Sequence, residues 1–151
     1  MLAPWVEDRH PDHGAAGALV TRAVYFAGVR RFAPEHGERF VPRQLLYYAM
    51  RHRLVPSFII DTSSAAARKA RAIACYGSQI TRTGPDAVAT LISSPRAVEA
   101  IEARDRYYGS FIGASHGEPL RSPHVPGLVD PVRQFRDNPF PEAHAFEPLE
   151  P

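Results

Sequence analysis

"PSFIIDTSSAAARKARAIACYGSQ", residues 56–79, decides the fold class. A short continuous apolar run ends at Asp61, and Thr62 or Ser63 then stands ready to cap a run of good helix formers. Strand, polar cap and helix in direct succession are the grammar of a βα unit. Working outward, "RQLLYYAM" at 43–50 is a second continuous apolar and aromatic run, which predicts a strand buried on both faces. "MLAP" at 1–4 reads as a strand end broken by Pro4. Between these runs Ala16, Leu19, Ala23, Phe26 and Ala27 recur at helical spacing, with Asp12 placed to cap the helix and Gly28 to end it. "RRFAPEHGERFVP" at 30–42 is a polar loop, and "SPRAVEAIEARDRYYG" at 94–109 is a further capped helix with Val98, Ile101 and Tyr108 on one face.

Eight of the 15 prolines lie between Pro119 and Pro151, which predicts neither helix nor central strand there. The reading is therefore an α/β chain of three or so strands: a Rossmann-like three-layer sandwich, incomplete, over residues 1–131. An irregular or disordered Pro-rich tail at 132–151 follows. No internal repeat is present.

Composition narrows the function classes. The chain is 44% hydrophobic and 23% charged, ordinary for a globular protein, and 151 residues suit one domain with a real core. The net charge is +2, and Lys69 is the only lysine among scattered arginines, so no basic block argues for nucleic acid. Cys75 stands alone, which removes a disulfide framework and makes a cytoplasmic setting the default; the expectation is a small residue packed on its helix. No apolar run approaches the roughly 20 residues that cross a membrane, and the N-terminus has no signal-peptide pattern.

The chemistry concentrates in "EDRHPDH", residues 7–13. Imidazole and carboxylate are, thiolate apart, the usual zinc ligands, and a catalytic zinc keeps three protein ligands and one open position. Pro11 stiffens the loop, which runs from a strand end into a helix start, where the sites of open α/β sheets lie. The same spacing also suits two surface histidines with Asp12 acting only as a cap.

The wider string "LAPWVEDRHPDHGAAGALVTRAVYFAGVRRF" (2–32), followed in order by "PSFIIDTSS", "KARAIACYGSQ", "IEARDRYYGSFIG" and "HGEPL", resembles the second half of the LmbE/PIG-L family of zinc-dependent N-deacetylases. Within that family it looks like the branch that deacetylates N-acetylglucosaminyl-malate in bacillithiol biosynthesis. The resemblance runs from Leu2 to about Pro131. It implies His13 as a Zn2+ ligand, and His10 as the imidazolium that stabilises the oxyanion or protonates the departing amine. It implies Asp12 as the residue orienting a neighbouring imidazole. Arg9 and Asp8 would bind substrate polar groups or tie the loop down. His116 would be either a solvated surface residue or a contact to substrate. Arg104 would meet a malate carboxylate or, the favoured reading, be an exposed arginine paired along its own helix.

The family's first motif, Ala-His-Pro-Asp-Asp, supplies the other zinc ligands and the general base, and this sequence does not contain it. One expectation is therefore a start at an internal codon, with a catalytically incomplete fragment that needs a complementary N-terminal half. Another is a mycothiol-type N-acetylglucosaminyl-inositol substrate. The expected partners are a small N-acetylated glucosaminide and a homo-oligomer or complementary half, with no nucleic acid and no membrane. His36, His52, His124 and His144 are expected on the surface. Asp61 either faces the site or caps the next helix. Tyr76, Ser78 and Gln79 form a family-like patch that suits a substrate surface or a helix end. Tyr107 and Tyr108 are expected as core or interface aromatics.

Overall fold

In the computed structural model the described residues are 1–50, 53–80, 90 and 92–137. They form four strands and five helices: β1 (Leu2–Pro4), α1 (Pro11–Ala27), β2 (Leu46–Tyr48), β3 (Phe58–Asp61), α2 (Ala66–Ala74), α3 (Gly77–Ile80), α4 (Pro95–Ser110), β4 (Gly117–Arg121) and α5 (Pro131–Asp137). The strands make one mixed open sheet in the order β1-β2-β4-β3, so the α/β expectation holds. β1 and β2 are parallel, in register Leu2↔Leu46 to Pro4↔Tyr48, with α1 as their crossover. β2 and β4 are antiparallel.

The chain divides into two compact units. The first is Met1–Phe58 with Pro119–Val129; the second is Ile59–Glu118 with the described residues from Asp130.

In the first unit α1 lies directly on the backbone that follows β1. A Cβ on Gly17 would stand 2.4 Å from the Pro4 carbonyl oxygen, and one on Gly14 2.9 Å from that of Val6. The packed face therefore runs through Gly14 and Gly17, and Leu19, assigned to it from the sequence, is 68% exposed. Glycine carries no hydropathy signal, so an apolar count rotates the helix the wrong way.

Tyr47 of β2 is buried and donates its hydroxyl to Thr21 Oγ1 at 2.7 Å, because that oxygen is already donating to the Gly17 carbonyl at 2.7 Å. The Trp5 ring meets Tyr47 edge-on at 5.3 Å and takes the Arg121 guanidinium over its face at 4.6 Å. Leu46 and Tyr48 are half-buried, so β2 is not covered on both faces. The β3 residues are mostly exposed as well.

Two expectations about proline fail. β4 contains Pro119 and lies between β2 and β3, yet Pro119 is fully buried. Registered pairing with β2 begins only at Leu120, so the missing N–H of Pro119 is not required by those pairs. Its neighbour Leu120 accepts from Ser57 N at 2.8 Å. At Pro131 the ring starts α5, with Asp130 Oδ1 accepting from Arg133 N at 2.9 Å. Proline is favoured at the first helical position, and α1 and α4 begin on one too.

In the second unit Gly109 of α4 and Gly117 of β4 face each other. A Cβ on Gly117 would stand 2.7 Å from Gly109 N. Among the described residues of α4, Ala97, Asp105, Tyr108 and Gly109 are buried, whereas Val98 is exposed. Cys75 is exposed at the end of α2, donating to the Arg71 carbonyl, so it is not packed as expected.

Candidate functional site

Residues 8–13 turn the chain from β1 into α1, all within the first unit. Pro11 opens the helix, and His10, not Asp12, is its N-cap: the His10 imidazole Nδ1 accepts from Asp12 N at 3.2 Å. The Asp12 carboxylate is almost fully solvated, with Oδ2 3.9 Å from His10 Nδ1, too long for a hydrogen bond. An acidic group in a first helical turn is favourable there through the helix dipole.

The residue that orients an imidazole is Asp8. Its side chain is 4% exposed, and Oδ1 stands 3.1 Å from His13 Nδ1 while accepting from His10 N at 2.8 Å. His13 is partly buried, and its ring stacks on that of His10 with centroids 4.8 Å apart and planes 28° apart. A carboxylate hydrogen-bonded to one ring nitrogen is the usual outer partner of a metal-binding histidine, fixing which nitrogen is left for the ion. His13 thus fits as one ligand of a Zn2+ site. A catalytic zinc takes three protein ligands, and no group of three His, Cys, Asp or Glu side chains suited to a metal occurs among the described residues. The loop fits one corner of such a centre, and no chemical step through an ion follows from these residues.

Arg9 is exposed beside the loop. Among the other candidates, His116 and Arg104 belong to the second unit. His116 is half-buried: its backbone N–H meets Ser63 Oγ at 3.2 Å, its ring Nδ1 lies 3.0 Å from Ser115 Oγ, and it lines a 230 Å³ pocket with Lys69, Asp105 and Ile101. Arg104 donates to Asp105 Oδ1 at 3.1 Å, so it pairs along its own helix, while Glu102 is taken by Arg106. The sequence did not reveal why Asp105 can be buried: Lys69 Nζ lies 2.6 Å from Asp105 Oδ2 and 2.7 Å from Glu118 Oε2.

Asp61 caps the turn that precedes α2 by accepting from Ser63 N at 2.8 Å. Its hydrogen bonds from the Ser63 side chain and backbone hold its carboxyl below the usual carboxylate range. Neither Thr62 nor Ser63 makes the side-chain cap expected of them. His36 and His124 are exposed; His52 and His144 lie outside the described residues. Tyr76 is exposed at the break between α2 and α3. Tyr108 is core, and Tyr107 is half-exposed against Phe111.

No helix among the described residues is long and apolar enough to cross a membrane.

No protein-family model matches the chain. Solved structures share its fold. The crystal structure of the conserved protein TT1542 from Thermus thermophilus superposes with a TM-score of 0.72 at 35% identity, over 85% of this chain and 52% of that one. The N,N'-diacetylchitobiose deacetylase from Pyrococcus horikoshii, complexed with its inhibitor MPG, superposes with a TM-score of 0.63 at 22% identity, over 85% of this chain and 49% of that one. The chain shares the α/β fold of both and spans about half the length of each.

Proposed function

We propose that this chain carries the histidine-bearing part of an LmbE/PIG-L-type, metal-dependent N-deacetylase that acts on an N-acetylated glucosaminide. The observation that carries the reading is the Asp8–His13 pair at a strand-to-helix turn, in a fold shared with a protein described as a diacetylchitobiose deacetylase. That neighbour's substrate class supports an N-acetylglucosamine-type substrate here. The motif resemblance favours malate as the aglycone, in bacillithiol biosynthesis, over the inositol of a mycothiol-type substrate.

In this reading His13 would hold a zinc ion with Asp8 behind it, and the remaining ligands come from outside the described residues. His10 would donate to the oxygen of the acetamide as it becomes an oxyanion, a role typically worth a factor of about 10² to 10³ in kcat. Arg9 would bind polar groups of the sugar or its aglycone. Asp12 keeps only an electrostatic role at the helix start.

The second reading is a catalytically incomplete chain that works only with a polypeptide supplying the other ligands. It is favoured by the single-ligand character of residues 8–13. One experiment addresses both. Acetate release from N-acetylglucosaminyl-malate and N-acetylglucosaminyl-inositol is measured with zinc, for the chain alone and after mixing with the N-terminal half of a relative. Activity only in the mixture, lost in His13→Ala, supports the incomplete-chain reading within the deacetylase class. Activity from the chain alone overturns the incomplete-chain reading. No acetate from either substrate under any condition overturns the deacetylase reading.

A further inference from the structure

We infer that Asp8 and the helix backbone hold the two stacked histidines in opposite tautomers, and that Asp8 is the positioning residue of this loop. The argument starts from what each ring nitrogen faces. An ionised carboxylate only accepts hydrogen bonds. Asp8 Oδ1, 3.1 Å from His13 Nδ1, therefore requires a proton on that nitrogen and leaves the lone pair on Nε2. A backbone amide only donates. Asp12 N, 3.2 Å from His10 Nδ1, therefore requires the lone pair on that nitrogen, so an uncharged His10 carries its proton on Nε2. Two imidazoles 4.8 Å apart thus present an acceptor and a donor, respectively, from the same ring position.

Asp8 links the two settings. The oxygen that meets His13 Nδ1 also accepts the amide of His10 at 2.8 Å, which fixes the backbone of the capping residue. The side chain is almost fully buried, so water does not compete for the carboxylate, and a carboxylate hydrogen bond is stronger than one between neutral groups. Pro11 adds no N–H to disturb the arrangement. The consequence for function rests on the deacetylase reading: the bare His13 Nε2 is the atom available to a metal, and the His10 Nε2–H the atom available to a carbonyl oxygen. The tautomers themselves do not rest on it.

The test is long-range 1H–15N NMR of the full chain labelled at histidine nitrogens, at a pH where both rings are uncharged and with no metal or substrate added. The expected spectrum shows His13 as the Nδ1–H form and His10 as the Nε2–H form. Asp8→Ala should convert His13 largely to the Nε2–H form. Asp8→Asn, whose amide oxygen still accepts, should restore Nδ1–H. Should Asp8→Ala fail to fold, the wild-type and Asp8→Asn spectra carry the test. A wild-type His13 in the Nε2–H form overturns the inference, as does a folded Asp8→Ala chain with His13 unchanged. Opposite tautomers in a chain that never releases acetate, alone or in the mixture, overturn only the deacetylase reading.

Discussion

The carbonyl oxygen of Pro4 lies 2.4 Å from the point that a Cβ on Gly17 would occupy, so helix α1 meets the backbone of β1 directly at this position. Gly17→Ala gains helix propensity of up to about 1 kcal/mol but drives a methyl group into a peptide group that has no rotamer to change. The clash wins: overpacking typically costs about 1–3 kcal/mol. Urea unfolding should show the midpoint falling for Gly17→Ala. Gly77→Ala, whose Cβ meets nothing within 4 Å, should stay within about 0.5 kcal/mol of the parent.

Lys69 bridges two carboxylates, one of them on the buried Asp105. Removing one partner of a buried pair strands the other charge, at about 3–5 kcal/mol in the fully buried case. Lys69 keeps some contact with solvent and Arg104 remains on Asp105, so Lys69→Met should cost about 2 kcal/mol. In the double variant Lys69→Met/Asp105→Leu part of that loss should be recovered, because the buried carboxylate is removed together with its cation, while Glu118 keeps contact with solvent. Additive losses in the double variant would contradict a coupled pair.

Asp61 gives the chain a defined acid response. Its folded carboxyl titrates below the usual range because Ser63 hydrogen-bonds its charged form. A depressed carboxyl stabilises the fold above the unfolded pKa, and the contribution is lost as pH falls through the folded value. Asp61→Ala should therefore destabilise the chain at pH 7 and differ progressively less from the parent as pH falls through the acid range. A carboxyl 13C titration of Asp61 should give a midpoint below that of a free aspartate.

Under the proposed deacetylase reading, His10 and Asp8 should separate kinetically once the chain is mixed with an N-terminal half. His10→Ala should lower kcat by about 10² to 10³ with little change in KM, as expected for an oxyanion donor. Asp8→Ala should instead weaken zinc affinity by about 10- to 100-fold, the usual effect of losing a histidine's outer partner. Atomic absorption after dialysis against graded zinc buffers measures the second effect independently of turnover.

The site was legible as a location and not as a set of roles. "EDRHPDH" marked the strand-to-helix turn, because the turn, its proline and its ring-bearing residues are consecutive in the chain. Which carboxylate serves which ring depends on burial. Asp12 sits nearer His13 in sequence, yet its carboxylate is turned to solvent while that of Asp8 is buried against His13 Nδ1. Nothing in the order of residues encodes that difference in exposure.

By itself the sequence determined the local elements, to within a few residues at their ends: the runs at 43–50 and 56–61, the helices from Gly14 to about Gly28 and at 94–109, and the histidine-bearing loop that precedes the first helix. These follow from periodicity, capping and chain breaking over a few neighbouring residues. Only the tertiary structure decided how they are assembled. It placed a proline-containing segment in the middle of the sheet, because pairing with β2 skips the one residue that lacks an N–H. It seated α1 on glycines, turned Leu19 outward, and buried Asp105 where Lys69 and Arg104 could meet it. Each of these depends on what lies across from a residue in space, and pairing, close approach and burial are properties of two segments at once.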